Sequence, residues 1–267
     1  MPMFKRLLVL ASLGLAAAAP LPAKLTVGVY PSYPPLDMKD PATGTLKGFD
    51  IALGQALAQR MGTTVVLQET SFAQFISSVE TGRIDLFLNG MNDTKLREQT
   101  IAFVDYLKSG TQFMVRAADA KTYTDPVQFC GKTVAGSRST NLPQQIGAWS
   151  QTYCVAAGKP AITFMGADNN IDARLQLKQD RVDAMVQDSL TIPYVQSQEA
   201  GVYATVGQPF DTTVMGIGVG KTNTALHTAL SKALQSMMDD GSYAALIAKS
   251  GLPANAAIAK ATIDAGA

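Results

Sequence analysis

Residues 89–97, NGMNDTKLR, set a glycine, two asparagines and an arginine between an apolar run, Ile84–Leu88, and a charged, helix-like segment. A buried strand, a turn and a helix start in succession make a position suited to an anion. Gly90 lets backbone approach a ligand closely, and Asn92 adds a polar side chain near the helix N-terminus. Arg97 carries a planar fork of donors matched to a carboxylate. A carboxylate for an ammonium group comes from Asp188, just past the apolar run Val182–Val186, and Tyr33 and Phe72 offer flat apolar faces. Together these groups complement a zwitterion.

Such residues come together only if the right elements carry them. KLTVGVY at residue 24 is β-branched and reads as a strand, and YPSYPP breaks it. DPATGTLKG reads as a turn or hairpin. Asp50 is expected to cap a helix over 51–61, with Leu53, Leu57 and Met61 on one face and Gly62 ending it. TVVLQ is a second strand. Phe72, Phe75, Ile76 and Val79 mark a second helix, and IDLFL is a third strand. This β-α-β-α-β order implies a parallel sheet with helical crossovers. The rhythm returns after residue 130: strands over 132–136, 161–165 and 182–186, and helices over 142–150 and 169–179, the latter carrying Ile171 and Leu175. ETGRIDLFLNG (80–90) and KQDRVDAMVQD (178–188) share an Arg, a branched residue and an Asp ahead of the strand. Asp85 and Asp183 are expected to be structural.

From residue 214 a strand, a long amphipathic helix with Leu226, Leu230 and Leu234, and a helix over 243–248 follow. His227 is expected on the exposed side of the long helix, and 254–267 as a weakly ordered tail. The last segment is needed to complete the first unit. The expected fold is therefore α/β with two lobes, each a mostly parallel sheet flanked by helices. Lobe 1 is discontinuous (24–110 and 214–267) and lobe 2 is 111–213. Two crossing strands near 107–114 and 208–216 form a hinge. In open parallel sheets ligands lie beyond the carboxyl ends of the strands, where Tyr30, Tyr33, Phe72, residues 89–97, 137–141 and Asp188 fall.

Composition narrows the function. The chain has 267 residues and a net charge of +1, which makes no case for nucleic acid or an anionic membrane surface. One histidine and two cysteines leave little for metal clusters or histidine triads, so no metal or cofactor is expected. Residues 1–23 form a short basic start, an apolar run too short to span a membrane, and small residues: a secretory signal peptide. No cysteine stands near its end to carry a lipid anchor, so the mature chain is expected to be exported, soluble and monomeric. Cys130 and Cys154 enclose 23 residues. In an oxidising compartment they can pair, contributing about 3–4 kcal/mol; the alternative is two buried thiols.

LTVGVYPSYPPLDM, GTLKGFDIAL, NGMNDTKLREQTIAFVDY, RVDAMVQDSLTIPY and MGIGVGKTNTALHTALSKALQSMMDDGSY resemble the polar-amino-acid-binding family of periplasmic solute-binding proteins that serve ABC importers. The motif residues are Thr94, Arg97, Phe103, Val104, Asp105 and Tyr106. The resemblance implies that Arg97 holds a ligand α-carboxylate and Asp188 the α-ammonium group. It also implies ligand contacts from Gly90 and Asn92, an aromatic sandwich of Tyr33 and Phe72, and carboxylate contacts from Thr140 and Asn141. Tyr30 stands where some members carry an acidic residue that meets cationic side chains. Arg138, in a loop usually read S-G-T-T, would add positive charge near the pocket or point to solvent. The implied partners are an amino acid and the membrane permease. Two alternatives share the scaffold: a periplasmic dehydratase acting on a cyclic carboxylic acid, which needs a placed proton donor, and a sensor subunit.

Overall fold

The computed structural model describes residues 21–266. The expected signal peptide lies outside them except for Leu21–Ala23. Those three residues contact the fold: Leu21 packs on the core, and the Pro22 carbonyl accepts from Thr63 Oγ1 at 2.7 Å.

Strand β1 (Lys24–Val29) leads into a three-stranded hairpin sheet of β2 (Ser32–Tyr33), β3 (Asp37–Lys39) and β4 (Leu46–Lys47). Then come α1 (Phe49–Arg60), β5 (Thr64–Glu69), α2 (Phe75–Glu80), β6 (Leu86–Asn92) and the short α3 (Lys95–Glu98). The long β7 (Ile101–Arg116) leads to β8 (Thr133–Ser137), α4 (Leu142–Tyr153), β9 (Thr163–Ala167), α5 (Asn170–Lys178), β10 (Ala184–Asp188) and α6 (Ile192–Gln198). A second long strand, β11 (Tyr203–Gly220), precedes α7 (Thr224–Asp239), α8 (Ser242–Lys249) and β12 (Thr262–Ile263).

The main sheet runs β5-β1-β6-β11-β7-β10-β8-β9, with β12 beside β7. β5, β1 and β6 are mutually parallel, as are β9, β8 and β10, while β11 and β7 run antiparallel to their neighbours. Each half therefore has the same order, outward from the centre: an antiparallel long strand, then three parallel ones. The first half buries Leu25, Val27, Leu53, Leu57, Ile217 and Leu230, and the second Phe113, Phe129, Val134, Ile146 and Val186. Near-continuous burial along β1 and β6 follows from covering a parallel sheet on both faces. Both long strands feed both cores: Val104 and Ile217 pack in one, Val115 and Val206 in the other.

The repeated Arg-φ-Asp sequences do the same work in each half. Asp85 Oδ2 accepts from Thr26 N at 2.7 Å, and Asp85 N donates to Thr26 O at 2.9 Å. Asp183 repeats the exchange with Thr133 at 2.9 and 3.0 Å. Each aspartate ties the start of its own strand to the start of the central parallel one. Cys130 and Cys154 are joined in a disulfide that holds the end of α4 against the approach to β8.

Four local expectations are corrected. Asp50 is not a cap. Gly48 precedes the helix at φ 136°, where a Cβ would meet the Leu36 carbonyl, and Asp50 sits fully buried in the first turn. His227 is buried, its Nε2 2.9 Å from the Gly220 carbonyl oxygen at the strand-to-helix turn. On α5, Ala173 and Leu177 face the core while Ile171 and Leu175 are exposed. The tail is docked: β12 pairs with β7, Thr262 Oγ1 and Ala265 N donate to Asp105, and Gly266 N donates to Asp93. Asp264 Oδ1 accepts from Phe103 N at 2.7 Å.

Two pairs of carboxyls are buried without cations. Asp37 and Asp50 lie within hydrogen-bond reach of each other, as do Asp93 and Asp105, and the Oδ1 atom of each has no other partner. Burial pushes all four up, Asp50 to about 7 and Asp93 to about 8, and like charge from Asp105 adds to the rise at Asp93. Each pair thus shares a proton. A carboxyl raised in the fold binds more protons than in the unfolded chain, so its contribution is greatest below about pH 4 and is lost as pH rises through the folded value. Asp40, held at about 2 by its hydrogen bond from Lys47, and Asp240, held at about 2 chiefly by Ser242, titrate below that window. The midpoint of thermal unfolding is expected to fall between pH 5 and pH 8.5, and to fall less in Asp93→Asn; a flat wild-type profile would contradict the shared protons. Deleting residues 262–267 removes the β12–β7 pairing and the tail's bonds to Phe103, Asp93 and Asp105, at least about 2 kcal/mol, and should lower the midpoint by at least about 4 °C in calorimetry at constant pH.

Candidate functional site

The carboxyl ends of six strands, three from each half, open on one cleft. It encloses about 530 Å³ between atoms, its mouth included. Tyr30, Tyr33, Phe72, Gly90, Asn92 and Arg97 line it from the first half, and Thr140, Asn141 and Asp188 from the second.

The first half's groups are held from behind. Gly90 has φ 56°, and a Cβ there would stand 2.5 Å from Tyr33 Cε1, so the tyrosine ring lies directly on the glycine backbone. Gly90 N donates to Tyr106 Oη at 2.9 Å, and Tyr106 Oη donates to Asp50 Oδ2 at 2.9 Å. Asn89 Nδ2 reaches Asp37 Oδ2 at 2.6 Å and the Tyr30 carbonyl at 3.1 Å. The Asp37–Asp50 pair therefore fixes both the end of β6 and the loop after β1. Thr94 caps α3 by accepting from Arg97 N, and Arg97 Nη1 donates to the Asn92 carbonyl at 2.7 Å. These bonds set the guanidinium 6.0 Å from the Phe72 ring centre, within cation–π range. Burial lowers Arg97 to about 10, which leaves it charged at neutral pH.

In the second half, Thr140 Oγ1 donates to the Ser137 carbonyl at 2.9 Å and accepts from Leu142 N, so its hydroxyl shapes the loop that starts α4. Asn141 Oδ1 accepts from Asn92 Nδ2 at 3.0 Å, across the cleft. Asp188 ends β10 and accepts from Tyr33 Oη at 2.5 Å, again across the cleft. Burial raises Asp188 to about 6, against the lowering effects of the Tyr33 hydrogen bond and the Arg97 charge. Arg138 does not line the cleft. It forms an ion pair with Asp168 on the exposed side, where its side chain is 60% accessible.

Of the residues singled out in the sequence for a ligand, nine line the cleft and Arg138 stands outside it. Asn89, Ser137 and Ser139, within the strand-end stretches 89–97 and 137–141, also line it, as do Ser32, Leu142 and Asp168–Asn170, which were not singled out. The strand-end rule covers Asp168–Asn170, which directly follow β9; the strand was recognised, but its end was not counted among the others. Among the described residues no group of three or more His, Cys, Asp or Glu is placed to hold a metal ion, and no helix is long and apolar enough to cross a membrane.

Known proteins share this arrangement. The chain is 30% identical over 228 residues to the arginine-binding protein ArgT of Corynebacterium glutamicum, spanning 85% of this chain and 74% of that one. It is 29% identical over 246 residues to the histidine-binding periplasmic protein of Salmonella typhimurium, spanning 88% and 90%. An ancestral arginine-binding protein bound to arginine superimposes with a TM-score of 0.75 at 29% identity, covering 85% of this chain and 98% of that one. The family model of the bacterial extracellular solute-binding proteins, family 3, matches residues 25–252. With two α/β halves, a cleft at their strand ends and that match over most of its length, the chain belongs to the bacterial extracellular solute-binding proteins, family 3.

Proposed function

We propose that this protein captures an L-α-amino acid in the cleft and delivers it to the membrane permease of an ABC importer. The observation that carries the reading is that Arg97 and Asp188, one from each half, line the same cleft. Arg97 receives the α-carboxylate on its fork of donors, with Asn92, Thr140 and Asn141 beside it. Asp188 receives the α-ammonium group, which displaces Tyr33 Oη from the carboxylate. The ammonium charge also lowers Asp188 again, so the raised value belongs to the empty cleft. Tyr33 and Phe72 then flank the ligand, and Gly90 keeps the wall beneath Tyr33 flat.

The lobes of this reading are 24–110 with 214–267, and 111–213, and they close on the ligand about the two long strands. Binding shifts an open–closed equilibrium, and the permease meets the closed form. The signal peptide over 1–23 and the periplasmic relative support action in the periplasm. No bond is made or broken. A dehydratase acting on a cyclic carboxylic acid would use Asp188 as its proton donor, a role for which a carboxyl at about 6 is suited. The two readings make opposite demands on one residue, and loss of water from a cyclic hydroxy acid on incubation with the protein would favour the enzyme.

A thermal-shift screen of the L-amino acids tests the proposal. A ligand at a thousand times its Kd adds about 4 kcal/mol, which for a chain of this size is about 8–16 °C. Arg97→Ala should weaken that ligand at least about 100-fold by calorimetry, because it strands a buried carboxylate. A screen without any shift would sink the reading. Gly90→Ala places a methyl group into the Tyr33 ring at a backbone angle alanine resists, and should weaken the same ligand by roughly 10-fold or more while the protein still unfolds cooperatively.

A further inference from the structure

We infer that the outer end of the cleft selects a neutral side chain ending in a carboxamide, so that the ligand is a glutamine- or asparagine-like amino acid and not a cationic one. This rests on the amino-acid reading above. The sheet order sets the cleft's two ends. Arg97 follows β6 and Asp188 ends β10, the strands flanking the central pair β11 and β7. Tyr30 follows β1, and Asp168–Asn170 follow β9, the outermost strand of the second half. A ligand held at its α-carbon by Arg97 and Asp188 therefore points its side chain outward, toward Tyr30 and Asp168–Asn170.

That outer end presents both kinds of hydrogen-bonding group and no buried charge. Asn170 lines the cleft, is 8% exposed, and its Oδ1 has no hydrogen-bond partner among the described residues. It needs a donor. Donors stand beside it: Asn170 opens α5, whose first N–H groups have no partner within the helix. Asn169 spends its Oδ1 on Asp172 N at 2.9 Å and turns its Nδ2 toward Tyr30 Oη at 3.5 Å. The one carboxylate there, Asp168, is exposed, ion-paired with the likewise exposed Arg138 and screened by solvent, and Tyr30 brings a phenol. A guanidinium or ammonium side chain would find no buried carboxylate to replace its water, and a carboxylate side chain no buried cation. A carboxamide supplies a donor to Asn170 Oδ1 and an acceptor to the helix N–H groups, and pairs with the Asn170 amide in either orientation.

Isothermal calorimetry with L-glutamine, L-asparagine, L-arginine and L-norvaline tests the inference on the wild type, Asn170→Ala and Asn170→Asp. Norvaline keeps the α-carbon groups and a linear side chain but lacks the amide. Glutamine or asparagine is expected to bind at least about 100-fold more tightly than norvaline and at least about 10-fold more tightly than arginine, since a site built around unpaired polar groups rejects analogues that leave them unpaired. Asn170→Ala should bring the amide ligand close to norvaline and leave norvaline itself unchanged. Asn170→Asp should move the preference toward arginine by supplying a carboxylate, which also guards against a folding defect in the alanine variant. Arginine or lysine bound by the wild type as tightly as either amide ligand would overturn the inference and leave the amino-acid reading standing. An amide-to-norvaline ratio unmoved by Asn170→Ala would do the same. Failure of all four to bind would overturn the inference alone, and the screen of the L-amino acids then decides the amino-acid reading.

Discussion

The antiparallel pairing of β7 with β11 is the constraint on which the rest of the molecule depends. Each strand is long enough to be a member of both halves, so each half completes its sheet with the same two segments of chain. Their register shifts between Val206 and Thr213, where Gly207 and Asp211 take positive φ, and once more between Met215 and Gly216. Both ends are locked into the two cores, which leaves the irregular middle the least constrained part of the pair. Ser189, directly after Asp188, packs its hydroxyl against that middle, 3.3 Å from both Ser109 Oγ and Gly110 N, and Leu190 inserts into the first core. Bending of the strands and the position of Asp188 are thereby coupled.

Given that pairing, the cleft follows from topology. The three parallel strands on either side present their carboxyl ends to the same gap, and that is where backbone groups and loops are free to meet a ligand. What topology leaves loose, buried polar groups tighten. The Asp37–Asp50 pair joins the hairpin sheet to α1 and, through Tyr106 and Asn89, to the end of β6. The Asp93–Asp105 pair joins the turn before Arg97 to β7 and to the tail. An arginine held by its own backbone carbonyl contact, a capped turn and a buried acid pair behind it is oriented before any ligand arrives, which spares the ordering cost at binding.

Most of the fold was legible because hydrophobic periodicity reports burial, and burial is nearly complete in a parallel sheet. The two long crossing strands followed from counting elements. Three of the four corrections concern a polar group whose partner lies outside its own element. Asp50 looks like a cap because a cap is the local use of an aspartate, while its actual partners are Tyr106 and Asp37. His227 is buried against a carbonyl seven residues back. The tail reads as disordered by composition, yet residues 262–266 bond to Phe103, Asp93 and Asp105, all more than 150 positions away. Tyr33 and Asp188 were both legible as site residues, but their mutual hydrogen bond spans 155 positions and has no local signature.

The repeated unit explains why the two walls of the cleft differ in kind. The same strand order and the same Asp85–Thr26 and Asp183–Thr133 exchanges fix both scaffolds, so divergence falls on the loops beyond the strand ends. After β6 the loop bends into a capped turn that presents a cation; at the end of β10 the chain presents an anion. Nearest the hinge the walls therefore meet as opposite charges, the complement of the part all α-amino acids share. After β9 the chain enters a helix through two asparagines, facing a tyrosine after β1, so that farther out the walls meet as neutral polar groups. A scaffold that holds its charges near the central strands and its variable loops at the rim can keep the first constant while the second change, because the two sets of groups stand on different strands' ends.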